Sequence, residues 1–368
     1  MAIPNKPSGQ SWLSRIKTWL VTNPNNPGLE TKYNYQAFHS SRYLFFFGGR
    51  IRTVKRNPAQ TVSILLRNLK PLFPVGVGIL IVLPLVLFLV YEAKWLWHHI
   101  SGSVVILFVY GWIHCFVGLL RASYMDPGVL PRNIHITDNA ERVGLPAEYN
   151  SSVTMPGYKR AHGDMTGSYK PQSEPEVQIK YCPTCKIWRP PRASHCSYCN
   201  VCIMNMDHHC RWLNTCVGQR NKRFFLSFLF GTVTSCIWII VLSFVHIFAY
   251  RREHPDISLA HSLRDVGASL FLVIYCLLGV IFPGLLLFYH FMLGITGITT
   301  REYYQIPRGM DSFEFLRNIW ASTFNTHSYW KNLMVQWCQP RGTSTVRMRD
   351  RYQQGDMRFE SVEFGAII

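Results

Sequence analysis

An all-α integral membrane protein, with four transmembrane helices and a cytosolic cysteine-rich, two-zinc domain between spans two and three, is the fold class this sequence predicts. Three observations carry it. Four apolar blocks, Leu72 to Tyr91, Ser103 to Leu120, Phe224 to Tyr250 and Val266 to His290, contain no Lys, Arg, Asp or Glu. Lys and Arg gather on one side of those blocks. Between the second and third blocks, 35 residues hold seven cysteines and three histidines.

Each block is long enough for a helix to cross a hydrocarbon core about 30 Å thick. A buried core helix explains one such run, but four in 368 residues with 48% hydrophobic composition indicate spans. Pro84 and Pro283 fall inside two of them and predict kinks, since neighbouring helices in a membrane satisfy the freed backbone groups. Orientation follows from the basic residues. Eleven precede the first span, fourteen lie between spans two and three, nine follow the fourth, and the two remaining loops hold only Lys94, Arg251, Arg252 and Arg264. Positive residues favour the cytoplasmic side, so both termini and the cysteine-rich loop are expected in the cytosol. The same distribution accounts for the net charge of +18 without nucleic acid, because basic flanks serve topology and attraction to anionic lipid. No helix-turn-helix or RNA-binding signature is present, and the cysteine spacing does not fit a finger ending in His-x3-5-His.

Outside the spans the chain divides into segments. The expected boundaries are 1–71 for a cytosolic N-terminal region, 72–121 for helices one and two, 122–180 for a cytosolic linker, 181–223 for the cysteine-rich domain, 224–291 for helices three and four, and 292–368 for a cytosolic tail. The N-terminus lacks a signal-peptide pattern. Trp12, Leu13, Ile16, Trp19 and Leu20 share one helical face, which suits either an interfacial helix or one packed on protein. Residues 43–58 read as two short strands around Gly48-Gly49, although their aromatic run also suits a membrane surface. From Glu141 to Lys180 the chain is polar and rich in Gly, Pro and Ser, which predicts a flexible linker.

The cysteine-rich stretch reads Cys182-Pro-Thr-Cys185, His195-Cys196-Ser-Tyr-Cys199-Asn-Val-Cys202, Asp207-His208-His209-Cys210, then Cys216. Tetrahedral zinc takes four ligands from Cys and His, often entering as Cys-x2-Cys pairs. An odd cysteine count, that repetition and a cytosolic location all argue against a disulfide framework. Six cysteines and two histidines fill two closed sites, which leaves one cysteine and one histidine over. Cys210, directly after Asp-His-His, is the candidate for chemistry. The competent nucleophile is a thiolate, and an ordinary cysteine with pKa ~8.5 is mostly protonated at neutral pH. His208 can serve as its base, and Asp207 can fix the tautomer of His208. Against this stands a purely structural module in which His208 or Cys210 is a spare ligand. Location favours catalysis: the short connection Arg211 to Arg223 holds the thiol near the membrane surface, where an acyl chain can enter lipid while its activated head stays in water.

At these residues the chain resembles the DHHC-type zinc-finger protein S-acyltransferases, or palmitoyltransferases. Their motif stands here as Asp207-His208-His209-Cys210. Asp126-Pro127-Gly128 resembles the family's Asp-Pro-Gly motif, and Thr299-Thr300-Arg301-Glu302 its Thr-Thr-x-Glu motif. The segments Gly48 to Val54, Asp126 to His135 and Ile187 to Arg192 resemble the fungal Ras palmitoyltransferase catalytic subunits in particular. The resemblance implies interleaved zinc sites: one of Cys182, Cys185, His195 and Cys202, the other of Cys196, Cys199, His209 and Cys216. It also implies palmitoyl-CoA as acyl donor, a Ras-type protein substrate, a small accessory subunit, and residence in the endoplasmic reticulum or Golgi membrane. Supporting roles follow for Asp126, Thr299, Thr300, Glu302 and Asn332. The expected reaction is two displacements through a thioester on Cys210, with structural zinc. The competing reading is a non-enzymatic zinc-bearing membrane adaptor. Cys115, Cys236 and Cys276 read as small apolar residues of the spans, and His114, His246 and His290 as neutral histidines within or at the ends of spans.

Overall fold

The computed structural model describes residues 12–25, 38, 40–55, 73–130, 132, 152–155, 177–185, 187–306, 314, 322, 324–338 and 344. Four helices are long and apolar enough to cross a membrane: α2 (Pro74–His99), α3 (Gly102–Tyr124), α4 (Lys222–Glu253) and α6 (Gly267–Thr296). A short helix α5 (Leu259–Asp265) joins the last two. The chain is a multi-pass membrane protein. Helices α3 and α4 approach closely through small residues. A Cβ on Gly231 would stand 2.8 Å from Cys115 Cβ, and one on Gly118 would stand 3.1 Å from the Phe228 backbone nitrogen. Close approach through small residues is how apolar helices associate where lipid is as apolar as the helices themselves.

Pro84 lies inside α2. It has no N–H to donate to the carbonyl of Leu80, four residues back. The Tyr275 hydroxyl of α6 donates to that carbonyl at 2.8 Å. The carbonyl that Pro84 frees is therefore satisfied by a neighbouring span. One turn later, Phe88–Glu92 forms a π-helix, and α2 then runs on to His99. The apolar block that stopped at Tyr91 thus continues through Glu92 and Lys94. Glu92 is wholly buried. Its carboxylate meets His246 Nδ1 of α4 at 2.8 Å, and the Ser269 hydroxyl of α6 lies 3.2 Å from the same nitrogen. The Trp95 ring stacks on that imidazole at 4.3 Å.

The cysteine-rich stretch forms paired two-stranded ribbons. In the first, β7 (Ser194–Cys196) pairs with β8 (Val201–Ile203), and in the second β9 (His208–Cys210) pairs with β10 (Thr215–Val217). Ahead of them, β4 (Ser152–Met155), β5 (Val177–Cys182) and β6 (Ile187–Trp188) form an antiparallel sheet. Two stretches of the expected linker are thereby paired, and most of the rest lies outside the described residues.

The N-terminal hairpin is present. β2 (Tyr43–Phe46) and β3 (Ile51–Val54) pair around a turn in which Gly48 and Gly49 have φ of +64° and +84°. The two-residue strand β1 (Val21–Thr22) adds to its edge. Alternation sends Tyr43 and Phe45 inward, where with Phe38 they pack against Cys196, Cys199 and Cys216. The preceding helix α1 (Trp12–Leu20) exposes Trp12 and Leu13, while Trp19 packs edge-on against Phe47 at 5.7 Å.

After α6, Gly297 adopts φ +72° and caps the helix, as the left-handed C-terminal position requires. The six-residue helix α7 (Thr300–Gln305) follows at once, and α8 (Tyr329–Cys338) packs back on the end of α6.

Candidate active site

The cysteines and histidines gather into two tetrads. Cys182, Cys185, His195 and Cys202 form one; Cys196, Cys199, His209 and Cys216 form the other, and in each the ligand atoms lie within 4.8 Å of one another. His195 Nδ1 stands 3.5, 3.4 and 3.9 Å from its three sulfurs. His209 Nδ1 stands 3.7, 3.4 and 3.6 Å from its own. A tetrahedron with Zn–S near 2.3 Å and Zn–N near 2.0 Å has N···S edges of about 3.5 Å. The donor sets and their spacing fit two closed zinc sites, grouped and interleaved as the resemblance implies.

The β9–β10 ribbon brings the second tetrad beside His208 and Cys210. Its register pairs Cys216 with His209, Val217 with His208 and Thr215 with Cys210. His209 enters the tetrad, whereas the neighbouring His208 stands outside it, beside Asp207 and His290. Asp207 lies wholly buried below it. Its Oδ2 is 2.8 Å from His208 Nδ1 and accepts from the Thr300 hydroxyl at 2.8 Å. Its Oδ1 accepts from Lys222 Nζ at 2.7 Å and from the Thr300 backbone N–H at 3.2 Å. Burial by itself would raise the Asp207 pKa. The Lys222 ammonium and the bond from His208 outweigh that and hold the carboxyl well below the usual carboxylate range. For His208, burial pulls down, while hydrogen bonds to Asp207 and Cys210 lift its pKa to about 9. Both contacts thus favour the form of His208 that has taken up a proton.

Two residues of this cluster are not apparent as site residues from the sequence. Lys222 reads there only as a flank of the third span, yet it is the cation on Asp207. His290 reads as a mild histidine at the end of the fourth span. It is buried, its Nδ1 lies 3.9 Å from Asp207 Oδ2, and its ring stacks over His208 at 5.7 Å and meets Phe225 edge-on at 5.1 Å. The available signal was position: both stand at span ends facing the cysteine-rich module.

The motif residues outside the module converge on it. Thr299 caps α7, with a reciprocal bond from Glu302. Arg192 of the module forks onto Glu302 at 2.7 and 2.6 Å and donates to the Gly297 carbonyl at 2.9 Å. Bidentate pairing of this kind fixes orientation as well as distance. Asn332 of α8 is buried; it donates to the Ile295 carbonyl at 2.7 Å and accepts from the Thr326 N–H at 2.9 Å, tying the tail to the end of α6. Asp126 is buried too and stands farther off, on the N-terminal side. It pairs with Arg52 at 3.2 Å and Arg220 at 3.4 Å and accepts from Ser344, Gly128 N–H and Val129 N–H. Burial raises its pKa, but Arg52, Ser344 and the two N–H groups together lower it below the usual value.

The family model for DHHC palmitoyltransferases matches residues 176–307. Similar curated proteins extend the match to nearly the whole chain. Palmitoyltransferase ERF2 of Debaryomyces hansenii is 39% identical over 364 residues, covering 95% of this chain and 90% of that protein. The protein of the same name from Eremothecium gossypii is 38% identical over 358 residues, covering 96% and 88%. That from Saccharomyces cerevisiae is 37% identical over 345 residues, covering 93% and 87%.

Proposed function

We propose, on the premise that this chain belongs to the DHHC palmitoyltransferase family, that Cys210 is the acyl-carrying nucleophile, His208 its proton partner and Asp207 the group that orients His208. The chain is a protein-cysteine S-palmitoyltransferase, and the adaptor reading has no support beside that membership. The observation that carries the site assignment is the ribbon register. It sets His209 opposite Cys216, its companion in the tetrad, which supports the reading of His208, 2.8 Å from Asp207, as the partner of Cys210.

The reaction then runs in two displacements. The Cys210 proton passes to His208, the sulfur attacks the thioester carbonyl of palmitoyl-CoA, and the bond from that carbonyl to the CoA sulfur breaks. His208 returns the proton to the departing CoA thiolate. In the second half an incoming protein cysteine gives its proton to His208 and attacks the acyl-enzyme, and Cys210 leaves as the thiol. The two tetrads would hold two zinc ions. Each tetrad offers four protein ligands, so the metal would supply folding energy here.

The remaining readings rest on the likeness to fungal Ras palmitoyltransferase catalytic subunits and on charge. A Ras-type GTPase is the proposed acceptor, with a small accessory subunit as partner. Both termini and the cysteine-rich module face the cytosol, in the endoplasmic reticulum or Golgi membrane. Asp126, Thr299, Thr300, Glu302 and Asn332 support the site through the bonds described above. The test is thioester labelling of the purified protein with labelled palmitoyl-CoA. Hydroxylamine-sensitive label is expected on wild type and absent on Cys210→Ser, with two zinc ions retained in both. Label persisting on Cys210→Ser would move the nucleophile elsewhere.

A further inference from the structure

We infer that Asn214 is a positioning residue for Cys210, and that the N-terminal hairpin is the part of the molecule against which it is braced. This rests on the reading of Cys210 as nucleophile. Residues 211–214 form the turn between β9 and β10, closed by a bond from Asn214 N–H to the Arg211 carbonyl at 3.2 Å. Cys210 ends β9 and pairs with Thr215, the residue directly after Asn214. Any displacement of the turn is therefore a displacement of the thiol. Asn214 has φ +50°, a left-handed conformation that asparagine tolerates better than most residues.

Conformation alone does not account for the side chain. The Asn214 amide donates to Thr53 Oγ1 at 3.1 Å and to the Val54 carbonyl at 3.0 Å, both on β3. These bonds join the turn to a segment about 160 residues earlier. The hairpin that receives them is itself firmly seated. Tyr43 and Phe45 are buried against the second tetrad. Arg42 N–H donates to the Cys199 carbonyl at 3.0 Å, and Arg52 pairs with buried Asp126 at 3.2 Å. The middle pair of the β9–β10 ribbon, His209 and Cys216, belongs to the tetrad. At the turn end, which carries Cys210, the Asn214 amide braces the chain on β3, and Arg211 donates to the Tyr198 hydroxyl at 3.2 Å. Loss of the Asn214 bonds would loosen that end, and misplacement by about 1 Å can slow a reaction by about 10²-fold.

The experiment is rapid-quench acyl-enzyme formation from palmitoyl-CoA by the full-length protein in nanodiscs, with zinc content and melting temperature measured on the same samples. Asn214→Gly keeps the left-handed backbone and removes the amide. Asn214→Asp keeps the tolerance and sets a carboxylate against the Val54 carbonyl. Both are expected to form acyl-enzyme about 10-fold more slowly, at an unchanged half-saturating palmitoyl-CoA concentration and with full zinc. Thr53→Val, which removes one acceptor from the other side of the brace, is expected to slow it about 3-fold, and combining it with Asn214→Gly should add nothing further. A residue needed only to turn the chain would be replaced by glycine without loss. Wild-type rates in Asn214→Gly and Thr53→Val, or slowing matched by lost zinc or a lowered melting temperature, would overturn the proposal. Cys210→Ser in the same assay separates the two readings: label surviving there removes the nucleophile assignment itself, however Asn214 behaves.

Discussion

The two cysteine–histidine tetrads have the same ligand set and near-equal geometry, yet they sit in different surroundings. Among the described residues, the first is packed by Ile187 in its buried cluster, with Leu130 partly buried beside it. The second is covered by Phe38, Tyr43 and Phe45 from the N-terminal hairpin and by Val129, Val201, Ile203 and Met206. Its histidine ligand lies one residue from His208 and its cysteine Cys216 is paired with that histidine across the ribbon. A closed metal site supplies folding energy wherever it stands. What it fixes depends on what is attached, and the second tetrad has His208 and Cys210, the proposed reacting groups, on its own strands.

That contrast can be broken most severely at the ligands. Cys199→Ser or His209→Ala should release one zinc and abolish acyl-enzyme formation. Cys182→Ser should also release one zinc, but at low temperature the fraction that remains folded should still take up label. Equal residual labelling in the two classes, normalised to folded protein, would erase the difference between the tetrads. One step smaller is His208→Ala. It should keep both zinc ions and an unchanged melting temperature while slowing acyl-enzyme formation by about 10² to 10⁴. A lost zinc in His208→Ala, with both retained in His209→Ala, would exchange the roles of the two histidines.

Arg192 links the module to the fourth span, so it tests whether the first ribbon matters to chemistry through the motif after α6. Arg192→Ala should lower the rate about 10-fold and the melting temperature by a few degrees, because Glu302 and the Gly297 carbonyl lose a charged donor worth about 1.5–3 kcal/mol. Arg192→Lys should recover little, since an ammonium cannot fork onto a carboxylate. The smallest effect is expected at Asp126. Its folded pKa is lowered, so its contribution to stability is present above the ordinary value near 3.9 and is lost as pH falls through the folded value. The gap in melting temperature between wild type and Asp126→Asn should be constant from about pH 6 to 8 and narrow below about pH 4.

Much of this could be read directly from the residues because the signals are local. Four uncharged runs identify four helices, and Cys-x2-Cys spacing identifies zinc-binding cysteines, while their grouping into two interleaved tetrads comes from the family resemblance. Gly48-Gly49 between the aromatic run Tyr43 to Phe47 and the run Ile51 to Val54 identifies the hairpin. The unread parts are those set by tertiary contact. Nothing in the order of residues says that Lys222 reaches back to Asp207, because the same lysine serves equally well as a topological flank. His290 is hidden for a similar reason: an imidazole at a span end has many innocuous settings. The end of the first apolar block at Glu92 is misleading, since a charged residue usually marks a membrane boundary and here it continues a helix whose partner lies on α4. Asn214 is an ordinary turn residue until β3 is folded against it.

The bond between Glu92 and His246 has a consequence for how the chain is made. The two residues are separated by 154 positions, and a carboxylic side chain facing lipid without a partner is costly. At roughly 5 to 20 residues per second of synthesis, the first span would wait about 8 to 30 seconds before its partner histidine emerged. During that interval α2 is poorly suited to drift into bulk lipid and well suited to linger beside the insertion machinery or a membrane chaperone. Glu92→Leu would let the helix depart early. The expected signature is a shorter association of the nascent chain with that machinery, measured by site-specific crosslinking on stalled ribosomes before and after residue 246 has been translated.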